Sequence, residues 1–318
     1  MTLSDDGEFG FLDKVRGWIG PPTAGTGIGD DAAVTRLREG TSLVSTTDAL
    51  VEGNHFRLDW SSPADVGHKA VAVNVSDLAA MGAEPRWLLL ALCAPGSTSS
   101  ELLRELYEGF ASACSEYGAE LVGGDTVRAD RLVLAVTALG EVEGDPLRRS
   151  GAKVGDVLAV TGPLGRAGTG VNLLLSQDAK DVSPEDAIAC MDAHRRPTAR
   201  VKEGLVLRRA GVHAAIDVSD GLASDVRRLA EASGVGIEVH TIPIAEEVRR
   251  ITDARGWDAE RIVLGGGEDF ELLVAAPAEQ IKSLDLIAVG RVVEDGLWLV
   301  RDGKREPLPS EGWDHFRP

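Results

Sequence analysis

Three cysteines in 318 residues, Cys93, Cys114 and Cys190, are too few and too far apart for a disulfide framework. They form no C-x-x-C pair, and the expectation is reduced, buried thiols. Basic residues are also in deficit: 33 against 51 acidic ones leave a net charge of −18. Such a surface repels nucleic acid and anionic membrane, so neither is expected as a partner. It also makes an anionic substrate awkward to bind unless cations intervene. The longest apolar run, around "WLLLALCA", is far too short to span a bilayer. The acidic opening "MTLSDDGEFG" is unlike a signal peptide, and a soluble, cytoplasmic protein is expected.

Familiar catalytic devices are missing as well. No G-x-x-x-x-G-K-[ST] excludes a P-loop in its usual form, and no serine stands in G-x-S-x-G. "HRRP" is not the kinase H-R-D. The histidines, His55, His68, His194, His213, His240 and His315, are scattered and never reach H-E-x-x-H spacing. They are expected to be structural or exposed. The exception is His55, which follows Asp48 closely in "EGNHF". "TGPLGRAGTG" lies between a strand and a helix but lacks G-x-G-x-x-G spacing, so turn formation and helix packing suit it better than a dinucleotide site.

What is present is a chain long enough for two cores. Phe9, Leu12, Val15 and Ile19 share one face of a helix over 8–19, ended by Gly20-Pro21-Pro22. "AAVTRL" and "SLVSTTDAL" read as strands, and a helix runs from Pro63 through Leu78. "RWLLLALCA" is a buried strand. A helix over 99–117 opens on Ser99 or Ser100 and closes at Gly118. "AELVGGDTVR" and "RLVLAVTALGEV" follow as strands. The turn-rich "DPLRRSGAKVGD" separates two expected domains, 1–146 and 147–318. Beyond it strands alternate with helices near 168–177, 184–194, 199–210, 222–234 and 245–255. "RIVLGGGEDFELLVAAP" reads as two strands around a glycine turn. The pattern predicts a two-domain α/β (α+β) architecture.

Apolar runs repeatedly end in Asp beside Gly, Ser or Thr: Asp30 and Asp31 in "GIGDDAAV", Asp48, Asp77, Asp125, Asp217 and Asp220. Singly, each has a turn or capping explanation. Jointly, with Thr46, Thr47, Ser76 and Thr126 beside them, they make an all-oxygen donor set suited to Mg²⁺ rather than zinc. Asp77 falls within the apolar helix "VAVNVSDLAAMG", where an unpaired carboxylate is costly. A dense Mg²⁺ site suits ATP together with a phosphorylated acceptor. An acceptor phosphate is already nucleophilic, so positioning and charge neutralisation suffice without a dedicated base.

"GIGDDAAV", "TTDALVEGNHF", "KAVAVNVSDLAAMGAEP", "LVGGDTVR", "RSGAKVGD", "IDVSDGL" and "GGGEDFELL", in that order, resemble the thiamine-monophosphate kinase family. That family lies within the superfamily of aminoimidazole ribonucleotide synthetase and selenophosphate synthetase. The resemblance extends to the closing "GWDHF". It implies ATP-dependent phosphorylation of thiamine monophosphate to thiamine diphosphate by direct in-line transfer. It also implies a homodimer in which N-terminal mixed sheets pair into a barrel, ahead of a C-terminal α/β domain.

By motif position, the resemblance assigns Mg²⁺ to Asp30, Asp31, Thr46, Thr47, Asp48, Asp77, Asp125, Asp217 and Asp220. Asp31, Asp77, Asp125 and Asp220 would act in catalysis through the metal. ATP would be bound by Tyr107, Gly124, Asp125, Arg149 and Ser219, and thiamine monophosphate by His55, Glu268 and Trp313. Arg166 departs from the acidic residue common at its position. Two rivals remain at this point: another ATP-using enzyme of the superfamily, and a non-catalytic Mg-nucleotide sensor on the same fold.

Overall fold

The computed structural model describes residues 1–20, 27–28, 32–176, 180–310 and 312, with the side chain of Phe9 excepted. Two compact units share the chain: Met1–Leu78 with Ala83–Asp145, and Ala79–Gly82 with Pro146–Pro318. Among the described residues, no helix is long and apolar enough to cross a membrane.

The first unit contains α1 (Leu3–Ile19), β1 (Thr41–Val51), α2 (Pro63–Ala80), β2 (Glu84–Ala94), α3 (Ser100–Tyr117), β3 (Glu120–Arg128) and β4 (Val133–Glu143). α1 begins earlier than the apolar spacing predicts, because Thr2 N and Oγ1 both donate to the Asp5 carboxylate, at 2.8 and 3.0 Å. Gly7, at φ 67°, kinks it immediately before the expected start. The expected strand at 32–37 does not form, and Val34 and Leu37 are exposed. α3 starts and stops as predicted: Ser99 Oγ accepts from Leu102 N at 3.1 Å, and Gly118 closes the helix in the left-handed region.

The sheet runs β1-β4-β2-β3, with only β2 and β3 parallel. Strand alternation gives it two faces. Leu50, Leu134, Val136, Ala138, Leu90 and Leu92 are buried on one of them. α2 lies on this face, where a Cβ on Gly140 would stand 3.2 Å from Leu78 Cδ1. Two glycines let α2 and α3 cross at backbone contact. A Cβ on Gly67 would stand 2.1 Å from Leu106 O, and one on Gly109 2.1 Å from Ala64 O. The opposite face carries Leu89, Ala91, Ala135 and Leu139, all only half-buried, with Val127 exposed.

The second unit holds β5 (Val157–Val160), α4 (Arg166–Ser176), α5 (Pro184–Arg195), α6 (Val201–Ala210), β6 (Ala214–Asp217), α7 (Leu222–Ser233) and β7 (Gly236–Val239). Then follow α8 (Glu246–Arg255), α9 (Ala259–Gly265), β8 (Leu272–Ala276), α10 (Ala278–Ser283), β9 (Ile287–Val293), β10 (Leu297–Arg301) and β11 (Lys304–Pro307). Its sheet order is β11-β10-β7-β9-β5-β8-β6, mixed in direction. β8 shows why its strands read as continuous apolar runs. Leu273 and Ala275 join the core with α7 and α9, whereas Leu272, Val274 and Ala276 join the core with Leu207 of α6 and Ile281 of α10. Cys114 and Cys190 are buried, Cys93 half-buried, and all three are free thiols.

"RIVLGGGEDFELLVAAP" is not a hairpin. Its first part is α9, capped by Asp258 Oδ1 accepting from Arg261 N at 3.0 Å, and only Leu272–Ala276 is strand. β11 and α10 extend the sequence reading; β11 is a wholly exposed edge with no apolar pattern.

The glycine turn before α4 binds a side chain of the protein itself. Gly165 N and Ala167 N donate to the Asp269 carboxylate at 2.7 and 3.4 Å, filling the first turn of the helix. Withdrawal from water pushes Asp269 up to about 7, against the lowering effect of those two donors. A carboxyl whose folded pKa is raised favours folding below its unfolded value near 4 and loses that contribution as pH rises toward 7. Asp269→Asn cannot ionise. Urea unfolding between pH 4.5 and 7.5 should therefore show a smaller loss of stability with rising pH in the variant; identical slopes would remove Asp269 as the source.

Candidate active site

In the first unit, β1 delivers Thr46, Thr47 and Asp48 from adjacent positions, so they alternate between faces. Thr46 and Asp48 lie on the α2 side. Thr46 Oγ1 donates to Asp77 Oδ2 at 2.5 Å, and Asp48 N donates to Asn74 Oδ1 at 2.9 Å. Asn74 and Asp77 share a face of α2 at i, i+3 spacing. Asn74 is itself oriented, its Nδ2 donating to Ala70 O at 2.9 Å. Thr47 points the other way, donating to Val136 O at 2.9 Å and accepting from Thr137 Oγ1 at 3.3 Å. Asp77 is half-buried in a helix whose neighbouring residues are buried.

Asp125 is exposed on β3 and accepts from Thr126 N at 2.8 Å. Gly124 before it is required by close approach, since a Cβ there would stand 1.9 Å from Leu90 O. Tyr107 is buried in an aromatic cluster, with ring centroids 6.0 Å from Phe11 and 5.9 Å from Trp18. That burial pushes its phenol above the ordinary range. His55 Nδ1 accepts from Val51 N at 3.0 Å, which puts any proton of the neutral ring on Nε2. The buried Lys69 donates to His55 O at 2.9 Å and fixes the same loop. Asp30 and Asp31 lie outside the described residues, as does Trp313.

In the second unit, the segment after β6 and the segment before β8 run side by side. Glu268 N donates to Ser219 O at 2.8 Å, Phe270 N to Val218 O at 2.9 Å, and Val218 N to Glu271 O at 2.8 Å. These bonds persist although Glu268 and Phe270 hold φ 67° and 51°, a conformation L side chains seldom adopt. Gly267 allows the approach: a Cβ there would stand 2.1 Å from Ser219 O. Strain held in place by surrounding structure is characteristic of functional loops.

Each carboxylate of the 268–271 segment has its own anchor. Glu268 Oε2 lies 2.7 Å from His194 Nδ1, and Asp269 fills the α4 N-terminus. Glu271, almost wholly buried, accepts from Thr161 Oγ1 at 2.6 Å and from Arg200 Nε and Nη2 at 2.9 and 2.5 Å. The parallel segment is held in the same way. Asp225 accepts from Ser219 N at 3.1 Å and Asp220 N at 3.2 Å, and Arg228 bridges Asp225 and Asp220. Burial first, then the Asp220 charge, pushes Asp225 up to about 7. Asp217 is buried at the end of β6.

Arg149 is exposed, and its carbonyl accepts from Ser233 Oγ at 3.0 Å. A Cβ on Gly312 would stand 2.7 Å from Ser224 Cβ, so the chain at Gly312 lies against the first turn of α7. Arg166 pairs with Glu247 on α8.

The structure thus joins Thr46 to Asp77, and Asp220 to Ser219 through Asp225. Among the described residues, no three His, Cys, Asp or Glu side chains converge as a metal cluster. The donors that do meet are hydroxyl and carboxylate oxygens, the chemistry Mg²⁺ takes. Sequence reasoning singles out neither His194, Asp225 nor Asp269. Asp269 and Glu271 lie inside the "GGGEDFELL" block, but His194 shows no local signal at all.

Comparison with known proteins agrees along the whole chain. Residues 29–142 match the AIR synthase related protein, N-terminal domain, and 153–296 the corresponding C-terminal domain. The thiamine-monophosphate kinase of Mycobacterium tuberculosis is 39% identical over 320 residues, covering 99% of this chain and 93% of that protein. The Escherichia coli enzyme is 38% identical, with 91% of each chain covered. The structure of AaThiL complexed with AMPPCP and TMP superimposes with a TM-score of 0.81 at 35% identity, over 99% of both chains. The hydrogenase maturation protein HypE in complex with ATP shares the fold alone, with a TM-score of 0.74 at 20% identity. With both halves matched in order and relatives near 40% identity end to end, the chain belongs to the thiamine-monophosphate kinase family of AIR synthase related proteins.

Proposed function

We propose that this protein transfers the γ-phosphoryl group of ATP directly to thiamine monophosphate, giving thiamine diphosphate. The observation carrying this reading is the end-to-end likeness to AaThiL, a protein solved with both AMPPCP and TMP. The acceptor's terminal phosphate oxygen attacks the γ-phosphorus in line, and the bond to the ADP oxygen breaks. No proton need be removed from an anionic phosphate nucleophile.

Mg²⁺, when bound, supplies the positive charge that lets two polyanions approach on an acidic surface. The residues proposed to hold it are Asp30, Asp31, Thr46, Thr47, Asp48, Asp77, Asp125, Asp217 and Asp220. The Thr46–Asp77 contact keeps two oxygen donors together on adjoining elements, so Asp77 needs no large rearrangement to act as a ligand. Asn74 orients the backbone at Asp48 in the same manner. Tyr107, Gly124, Asp125, Arg149 and Ser219 are the proposed ATP contacts, with Arg149 answering phosphate charge. His55, Glu268 and Trp313 are proposed for the acceptor. Glu268 suits its cationic thiazolium or aminopyrimidine part, and Trp313 offers a ring face. The domains are assigned as 1–146 for ATP and Mg²⁺ binding and dimerisation, and 147–318 as the C-terminal α/β part.

Dimerisation is proposed through the sheet face of Leu89, Ala91, Ala135, Leu139 and Val127, which closes with its symmetry copy into a barrel. Its support is that these apolar residues are half-buried or exposed, whereas Leu50, Leu90, Leu92, Leu134, Val136 and Ala138 of the opposite face are buried. Sedimentation velocity at micromolar concentration should give a dimer; a stable monomer contradicts the barrel.

With ATP and Mg²⁺, the purified protein should form thiamine diphosphate from thiamine monophosphate, and chelation of the metal should stop the reaction. Absence of turnover with that acceptor, alongside turnover of formylglycinamidine ribonucleotide, would assign the chain to the rival chemistry. Asp77→Asn should lower kcat about 100-fold or more, the scale for losing electrostatic stabilisation of a transition state. Its melting temperature should stay close to that of the parent. Near-normal turnover at low Mg²⁺ would take Asp77 out of the metal site.

A further inference from the structure

Glu268 is held from one side by a residue to which neither the sequence motifs nor the family resemblance assigns a role. Ala187, Cys190 and His194 follow one another at i, i+3, i+7 along α5 and are buried on one face of it. That face is pressed on α4: a Cβ on Gly170 would stand 2.1 Å from Cys190 O. Apolar packing therefore fixes the helix, and with it the place of the imidazole at its C-terminal end. His194 Nδ1 reaches Glu268 Oε2 at 2.7 Å, across 74 residues of sequence. A carboxylate can only accept, so Nδ1 carries the proton of this bond.

The two partners differ in exposure. The His194 side chain is 6% exposed and that of Glu268 25%, so the ring lies behind a carboxylate still partly presented to solvent. The backbone under Glu268 is in the left-handed region, bonded to Ser219 O. Main-chain position and one carboxylate oxygen are both fixed, which sets the direction of the other oxygen.

We infer that His194 is a positioning residue for acceptor recognition: its Nδ1–H holds Glu268 Oε2 so that the carboxylate faces the cationic thiamine moiety in one orientation. The inference rests on the reading that Glu268 contacts the acceptor. With 6% of its side chain exposed behind Glu268, His194 acts through that carboxylate. Its contribution is preorganisation, sparing the acceptor the ordering of a rotamer-rich glutamate. The effect belongs to acceptor binding and leaves ATP binding and the transfer step alone.

The test is steady-state kinetics of the full-length protein with ATP, Mg²⁺ and thiamine monophosphate, for the parent, His194→Ala, His194→Asn, His194→Gln, Glu268→Gln and the double variant His194→Ala/Glu268→Gln. His194→Ala should raise KM for thiamine monophosphate roughly tenfold or more, the scale of a hydrogen bond to a charged group. KM for ATP and kcat should stay within about twofold. Asn places its amide nitrogen where Nδ1 stands and should restore most of the affinity. Gln, whose nitrogen reaches the Nε2 position, should not. The double variant should be no worse than Glu268→Gln alone.

A normal KM for Glu268→Gln would overturn the assignment of Glu268 to the acceptor, and this inference with it. A raised KM for Glu268→Gln beside a normal one for His194→Ala would overturn the positioning role alone. Should His194→Ala fail to fold, the Asn and Gln variants decide: equal KM values for the two overturn the inference. Equal rises in KM for both substrates, with a lowered melting temperature, would reduce His194 to a packing residue.

Discussion

The bidentate bond between Arg200 and Glu271 is the contact on which the acceptor end of the proposed site depends. Glu271 is buried and takes three hydrogen bonds, two from the guanidinium and one from Thr161. Thr161 then accepts from Leu272 N at 2.8 Å, passing the constraint into β8. Removing one partner of such a pair leaves a charge uncompensated, at a cost of about 3–5 kcal/mol. The fork therefore fixes where the strand ends and where the irregular segment begins. Upstream of it, Phe270 and Glu268 are held at positive φ by backbone bonds to Val218 and Ser219. A site built by hanging carboxylates on separate rigid elements is held more firmly than one built on a free loop.

The acidic residues fall into two kinds by what they touch. Asp269, Asp225 and Glu271 are turned inward onto helix N-termini, loop amides or arginine, and they shape the backbone. Asp48, Asp77 and Asp125 stand half-buried or exposed beside hydroxyls and amides, and the half-buried Asp220 stands on Arg228. The inward group carries the upward pKa shifts at Asp225 and Asp269, caused first by desolvation. Each of these inward carboxyls spends its oxygens on amides, a hydroxyl or a guanidinium of the protein itself, so none is left facing the phosphate-bearing substrates.

Much of this was legible in the sequence, and the exceptions have physical causes. α2, α3 and α7 carry long periodic apolar stripes with clear ends, and they form where expected. "IVL" at 262–264 is short, apolar and rich in β-branched residues, a pattern common to buried strands and helices. The Asp258 cap decides for helix there, while the glycines after it break any hairpin. β11 has no apolar alternation because it is an exposed edge. "GPLGRAG" resembles a phosphate loop locally, yet its helix terminus is taken by Asp269, 104 residues away from Gly165. The family blocks named Glu268 but not His194, because that pair exists only once α5 has packed on α4.

The measurement closest to the central claim is hydrogen exchange of the amides of residues 267–275 in the parent and in Arg200→Lys, which keeps the charge and loses the fork. If the Arg200–Glu271 contact holds the acceptor segment, the amides of Glu268 and Phe270 should exchange at least about tenfold faster in the variant. Those of Leu273–Ala275, inside the β8 ladder, should remain protected. Unchanged exchange at Glu268 and Phe270 would show that the segment keeps its conformation without the fork and would contradict the account.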